Sequence, residues 1–597
     1  MPGNWPVEEH RARAVTSDET GQVPPPQRVP TADSSERPRR WPAFAWAWLS
    51  RHRHVEHYVR RLDHLGVLLG LLAFVSSLTP SLLPRSWYLQ GVVSGLSVAG
   101  AYGVGVVCTW LARRAGVRPV SAQVHRQVWY GIAALSGVVV PVLLWLSSAW
   151  QNDVLHAVGM HGGGRYLHIG MFLIAAAVAA ALIGITRLVQ DIYRLLARRL
   201  SRHVPRVAAR LVSFVLVAVL VVGFGTGLAY RGLVRLADLS ASSVDHGTPS
   251  NVVQPLTSLR SGGPGSLVAW RTLGYEGRAF VGSGPTRAQL AGFSRRSAIE
   301  PIRVYAGLSS ATGLQAEADL VLAELRRTHA FDRALLAIAT TTGSGWVDEG
   351  LVEPLEYMYV GDTAIAAMQY SYLPSWVSFV VDKDRARNAG RVLFNTVYDY
   401  WATLPHQHRP RLVVFGESLG AFGSSAAFSG LADLTARTSG ALFVGPPNAT
   451  ELWRALTGRR EHGTPERLPV YGDGQTVRFA ASAADLHNPD GTLATPKAVF
   501  LQHASDPVVW WSPDLLWSKP DWLAEPRGPD VAVQMHWFPA ITFWQITCDL
   551  AISLKPPPGH GHRYGPEIPT AWAAILHPAH WTEDDTAALT AVLAATG

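Results

Sequence analysis

The chain has 597 residues, 48% of them hydrophobic and only 16% charged, with a mean hydropathy of +0.11 and a formal net charge of +8. So much apolar and so little charged sequence points to membrane segments, and the mild mean hydropathy requires a water-soluble part to average against them. The charge divides in the same place. Residues 1–230 hold 23 Arg against 10 Asp or Glu, while the remainder holds 29 basic and 34 acidic residues, so the pI near 9.5 does not imply a nucleic-acid partner. Two cysteines, Cys108 and Cys548, are too few for a disulfide framework or a cysteine metal site.

In chain order, residues 1–62 are rich in Pro, Ser, Arg and Glu and lack apolar periodicity, so a disordered tail is expected. No charged stretch followed by a short apolar core opens the chain, and the first long apolar segment is expected to act as an uncleaved anchor. Five segments, near 65–83, 91–111, 128–150, 169–189 and 211–230, approach the roughly 20 apolar residues a bilayer requires. They make 63–232 a transmembrane domain of about five helices. Pro80 and Pro84 interrupt the first, whose alternative is a re-entrant or interfacial helix. Arg residues crowd the tail, the loop after the second segment (Arg113, Arg114, Arg118, Arg126) and the loop after the fourth (Arg194, Arg198, Arg199, Arg202, Arg206). The other two loops carry only Arg85 and Arg165. This asymmetry predicts a plasma-membrane protein with a cytoplasmic N-terminus and an extracytoplasmic C-terminal half.

Residues 233–300 read as a connector with one hairpin. From 301 to 597 strands alternate with helices: strands near 302–305, 334–339, 366–372, 412–415, 441–444 and 499–502, with helices over 314–327 and 385–401. Alternation of this kind predicts a mainly parallel sheet with helices on both faces, the α/β class, joined to a membrane α-helical bundle.

The chemistry concentrates at 411–420, RLVVFGESLG, where an apolar run breaks into Gly416-Glu417-Ser418-Leu419-Gly420 before the small-residue stretch AFGSSAAF. A strand, a sharp turn and a tightly packing helix present a serine hydroxyl at the top of a sheet, as in a nucleophile elbow. Serine at neutral pH needs a base, and the base needs a carboxylate to hold its tautomer. The chain order Ser, acid, His points to Asp506, in the loop after the strand at 499–502, over Asp514, Asp521 and Asp530. The base is His560 or His562, in the loop PPPGHGHRY at 556–564; Gly561 lets either ring turn toward Ser418. An oxyanion hole requires N–H donors, expected from Leu419 and from Thr342 and Gly343 in the glycine-rich turn after the strand at 334–339. Trp346, Trp510 and Trp511 are candidates for a substrate pocket, with core packing or bilayer contact as the alternatives. His560 and His562 also form an H-x-H pair, but no acid or cysteine cluster accompanies it and no metal or other cofactor is expected.

Seven runs extend the pattern: SLTPSLLPR (77–85), FVGSGPTRAQLAGF (280–293), PIRVYAGL (301–308), TTTGSGW (340–346), VVFGESLG (413–420), LQHASDPVVWWSPDLL (501–516) and PPPGHGHRYG (556–565). With these the chain resembles an actinobacterial membrane family in which a multi-spanning N-terminal domain is fused to an α/β-hydrolase domain. The resemblance implies that fold and a catalytic set of Ser418, Asp506 and a histidine; it implies no substrate. The expected activity is a serine hydrolase acting on an ester or thioester of a lipid or cell-envelope metabolite. An envelope acyltransferase using the same residues, or a non-enzymatic membrane scaffold or transporter, are the alternatives.

Overall fold

The computed structural model describes residues 62–117, 121–161, 168–224, 227, 245, 247–373, 378 and 383–596. The N-terminal region contains helices α1 (His64–Ser77), α2 (Trp87–Arg114), α3 (Ala122–Ala157), α4 (His168–Leu200) and α5 (Arg206–Val222). Three stretches, Trp87–Arg114, Arg126–Ala157 and His168–Leu200, are long and apolar enough to cross a membrane. The first predicted segment falls short: α1 has 14 residues, about 21 Å of helix against a hydrocarbon layer of about 30 Å. It stops there because Pro80 lies three residues past its end and cannot continue the ladder. The fifth, α5, has 17 residues, and most of its predicted last turns, 225–230, fall outside the described residues.

Small residues let these helices approach closely, the packing that works where no water drives association. Gly66 and Gly70 face α2, where a methyl on Gly66 would stand 2.8 Å from the Tyr102 ring. Gly91 and Gly95 face α4 in the same spacing, a methyl on Gly95 meeting Val178 at 2.6 Å. Asp63 caps α1 and accepts the Thr109 hydroxyl at 2.9 Å, while Ser77 and Ser94 share a hydrogen bond of 2.8 Å at the opposite end. α1 and α2 are therefore antiparallel neighbours.

The described part of the connector forms helices α6 (Gly274–Gly282) and α7 (Arg287–Ser294), with no strand among the described residues 247–300. Residues 233–244 and 246 of the segment expected to hold a hairpin lie outside the described residues, and a capping box, Thr286 with Gln289, starts α7. Beyond it lie β1 (Ile302–Ala306), α8 (Leu314–Arg327), β2 (Leu335–Thr340), α9 (Glu349–Met358), β3 (Thr363–Met368), α10 (Lys383–Thr403) and β4 (Arg411–Glu417). These are followed by α11 (Leu419–Ser425), α12 (Leu431–Arg437), β5 (Gly440–Val444), α13 (Glu451–Thr457), β6 (Val477–Ala480) and β7 (Ala498–Leu501). Helices α14 (Ile541–Leu550), α15 (Ile568–Leu576) and α16 (Glu583–Thr596) complete the chain.

The seven strands form one parallel sheet in the order β1-β3-β2-β4-β5-β7-β6. Side chains alternate between two apolar cores, as the period of two requires. Leu412, Val414, Ala441, Phe443 and Phe500 belong to one, and Val413, Phe415, Leu442, Val444 and Val499 to the other. Both faces are covered, the condition that makes parallel strands read as continuous apolar runs. The first core also holds Leu82, Leu83 and Val158, each 0% exposed, so segments between the N-terminal helices are built into the sheet's packing.

Candidate active site

The GESLG turn lies between β4 and α11 in the middle of the sheet. Ser418 sits at φ 57° and ψ −121°, a conformation that L-residues rarely adopt and that costs on the order of 1–3 kcal/mol. Its two glycines are dictated by close approach: a methyl on Gly416 would lie 2.3 Å from the Gly420 backbone, and one on Gly420 would lie 2.2 Å from the Thr340 carbonyl. The small residues that follow let α11 press against α10, where a methyl on Gly390 would meet the Gly423 carbonyl at 2.2 Å. Ser418 donates its N–H to the Val444 carbonyl at 2.8 Å, locking the turn to the end of β5.

Asp506 follows β7 and is fully buried. It accepts three hydrogen bonds: the Val508 N–H at 2.8 Å on Oδ1, and His562 Nδ1 at 2.6 Å with the Tyr564 hydroxyl at 2.7 Å on Oδ2. The His562 ring lies over Gly445, the residue after β5, where a methyl would stand 2.5 Å from Cε1. Its Nε2, across the ring from the aspartate, is buried without a protein partner. The Ser418 backbone is anchored to the last residue of β5 and the His562 ring lies over the next one, so the serine, the imidazole and the carboxylate all stand at the carboxyl ends of β4, β5 and β7.

A second shell of ionisable groups surrounds them. His503 donates from Nδ1 to the Gly561 carbonyl at 2.9 Å and from Nε2 to Glu567 at 3.2 Å, and its ring stacks on Tyr564 at 4.1 Å. Burial lowers the affinity of His503 for its proton, but the Glu567 carboxylate outweighs this and raises it. Beneath the nucleophile, Glu417 is held far above the usual carboxylate range by burial, reinforced by the adjacent Asp348. Asp348 is also raised, again through desolvation, and its carboxyl hydrogen-bonds to that of Glu417.

Residues 302–589 match the sequence profile of an α/β-hydrolase family, and residues 78–285 match the profile of that family's N-terminal part. The chain belongs to this α/β-hydrolase family. No curated protein and no solved structure matches it.

In this family member the two candidate histidines have separate surroundings. His562 faces Asp506, whereas His560 packs on Gly159, where a methyl would lie 3.1 Å from its Nε2, and burial lowers its pKa. The two histidines of the H-x-H pair thus meet different neighbours. Among the alternative acids, Asp530 bonds to Ser505, Asp521 to Arg460, and Asp514 to Ser512.

The turn after β2 does reach the elbow, but the Thr342 N–H is donated to the Trp346 carbonyl at 3.0 Å. That engagement corrects the expectation for Thr342 as an oxyanion donor; Gly343 is the next residue on the same turn. Leu419 opens α11, so its N–H belongs to the first turn, whose donors have no partner inside the helix. Trp346 is 39% exposed at the rim. Trp510 is 1% exposed, packed between Trp453 and Trp522 with its Nε1 donating to the His503 carbonyl, and is core rather than pocket wall. Trp511 stacks on Phe543 of α14 and donates to Thr547 at 2.8 Å, which makes it packing as well. Tyr564, Glu417 and Glu567 are not legible from the sequence: a tyrosine beside two histidines and the variable position of G-x-S-x-G carry no signal of their own, and Glu567 lies outside any motif.

Proposed function

We propose that the protein is a membrane-bound serine hydrolase of the esterase or lipase kind, acting through an acyl-enzyme at Ser418. The observation that carries this reading is the 2.6 Å hydrogen bond from His562 to Asp506 beside a strained elbow, with Nε2 buried and unpartnered. In this mechanism Ser418 Oγ attacks the ester carbonyl while His562 Nε2 takes its proton. Asp506 holds the Nδ1–H tautomer and stabilises the imidazolium. The Leu419 N–H, with a second donor from the turn containing Gly343, receives the oxyanion. His562 then returns the proton to the leaving alkoxide or thiolate, and a water repeats the cycle.

The substrate class we assign is an ester or thioester of a lipid or envelope metabolite. Attachment to the bilayer raises the local concentration of such substrates. An extracytoplasmic catalytic domain is supported by the position of the basic residues: Arg113 and Arg114 end α2, and Arg198 and Arg199 end α4. The C-terminal ends of α1 and α3 lie beside hydrolase residues, Gln545 donating to the Ser77 carbonyl and Gln534 to Asp153, and Ser77 meets Ser94 in the N-terminal half of α2, away from Arg113 and Arg114. Protease treatment of wall-stripped cells tests this, and protection of the C-terminal half refutes it.

The test of the activity is labelling of membranes by a fluorophosphonate in the native chain and in Ser418→Ala. Labelling that survives the substitution, or is absent from both, refutes the proposal. Labelled enzyme that turns over faster with added alcohols than with water identifies an acyltransferase.

A further inference from the structure

The segment 78–86 joins two apolar helices, yet it is buried in the hydrolase half of the molecule. Two prolines keep it out of helix, and Leu82 and Leu83 enter the sheet's apolar core. Between them and α14 lies a buried polar knot. Ser81 donates its hydroxyl to Asp549 Oδ2, and the Leu82 and Leu83 N–H groups also point to that carboxylate. Arg85 places Nε 3.9 Å from Asp549 Oδ1, with both side chains 0% exposed. The Arg85 N–H donates to Gln151 of α3 at 3.1 Å, and its Nη2 donates to the Thr79 carbonyl at 3.2 Å. Gln545, one turn before Asp549, donates to the same Thr79 carbonyl at 3.0 Å. One carboxylate near the end of α14 thus holds a linker that is itself tied to α3.

The end of α14 leads directly to the imidazole. Ile552 and Ser553 close it by donating to the Asp549 and Leu550 carbonyls at 3.0 and 3.4 Å. The Ser553 carbonyl accepts the His562 N–H at 2.9 Å. From the other side, His560, two residues before His562, rests on Gly159 in the turn after α3. Gly159 has φ +66°, which strains any L side chain, and a methyl there would press on that ring at 3.1 Å. The loop that presents His562 is therefore gripped at two points by residues belonging to the N-terminal helices or to what they hold.

We propose that the N-terminal helices are a working part of the active site, in which the Ser81–Arg85–Asp549 knot, through Ser553, and Gly159, through His560, position the base His562. These are positioning residues: none touches a reacting atom. The inference rests on the reading of His562 as base. It gives the spanning region a role beyond anchorage, because a tether would hold the hydrolase domain near the bilayer without contacting the histidine loop.

The test uses the full chain in detergent, with Arg85→Met combined with Asp549→Asn, which removes both charges with little change of volume, and with Ser81→Ala and Gly159→Ala separately. Three quantities are read: the rate of fluorophosphonate labelling at Ser418, kcat and KM on a short p-nitrophenyl ester, and amide hydrogen exchange of the 553–565 peptide. The double variant is expected to label at least tenfold more slowly, to lose kcat with KM within twofold, and to exchange faster at 553–565 while β4 stays protected. Labelling within twofold of the native rate with unchanged exchange overturns the proposal, as does faster exchange spread evenly over the sheet. A double variant too unstable to purify is replaced by Ser81→Ala, which removes one hydroxyl and is held to the same criteria. If native Ser418 does not label but exchange at 553–565 still rises in the variants, the hydrolase reading fails and the mechanical coupling stands.

Discussion

Asp506→Asn is the most discriminating single substitution, because the carboxylate faces donors on every side. Oδ1 takes the Val508 N–H at 2.8 Å, and Oδ2 takes both His562 Nδ1–H at 2.6 Å and the Tyr564 hydroxyl at 2.7 Å. An asparagine supplies one acceptor and two further donors, so one orientation sets its NH2 against the imidazole and the other sets it against the Val508 amide. The first orientation keeps the turn at Pro507–Trp510 capped and forces His562 into the tautomer with its proton on Nε2, where it cannot accept from Ser418. A wrong tautomer costs about four decades in kcat in the serine-protease triad, or roughly 5.5 kcal/mol at 1.36 kcal/mol per decade. The second orientation keeps the tautomer but leaves a buried N–H facing another, a cost of about 1–3 kcal/mol in stability. Since the turn is short and the imidazole can reprotonate, the tautomer is expected to yield, with ester turnover falling by about 10³–10⁴ and melting changed little. The assay is turnover of a short p-nitrophenyl ester from pH 6 to 9 beside the labelling rate at Ser418. A variant within tenfold of the native rate throughout refutes the assignment of Asp506.

Three further outcomes follow from the same geometry. His562→Ala is expected to lose at least about three decades of turnover and His560→Ala about threefold or less; the reverse ranking, measured on the same ester, assigns the base to His560. For Glu417 the folded pKa is raised above its unfolded value, so its stabilising contribution is complete below about pH 4.3 and is lost as pH climbs toward the folded pKa. Glu417→Gln keeps a donor toward Asp348 but cannot titrate, and is expected to flatten the fall of melting temperature as pH rises above about 5; an unchanged slope contradicts the raised pKa of Glu417. Arg303 on β1 pairs with Glu356 at 2.8 Å, both side chains being 0% exposed. Arg303→Met strands that carboxylate at a cost of about 3–5 kcal/mol, and adding Glu356→Gln is expected to restore much of the loss in thermal unfolding; no recovery shows that packing, not charge, is responsible.

The parts of the site that a sequence reveals are those made by neighbours in the chain. The elbow is a contiguous strand, turn and helix, so its glycines, its serine and the small residues of α11 all stand within 15 positions, and Asp506 follows its strand in the same way. The placing of the two histidines is different in kind. Gly561 permits either ring to turn, and what sets His562 rather than His560 against Asp506 is the Ser553 carbonyl and Gly445, residues distant from each other in sequence. Thr342 shows the same limit over a shorter range, since its N–H is captured by a carbonyl four residues on. β6 was missed because VRFA is four residues long at the sheet's edge, with Arg478 in the middle. The aromatic density after Asp506 signals burial without saying against what. Trp510 fills the core between two other tryptophans, an arrangement the spacing does not encode.

Composition divides the chain near residue 232, but packing does not respect that division. Leu82, Leu83 and Val158 come from the apolar N-terminal region and are 0% exposed inside the core of the sheet. At about 1.5–3 kcal/mol for each buried aliphatic side chain, three of them contribute on the order of 5–9 kcal/mol, comparable to the 5–15 kcal/mol that is the net stability of a typical domain. A hydrolase segment beginning at residue 301 would therefore carry an open apolar groove where these side chains belong, and Asp549 would lose Ser81 and Arg85 together. The N-terminal helices and the hydrolase sheet are consequently one packed unit, so removing the helices is expected to destabilise the sheet as well.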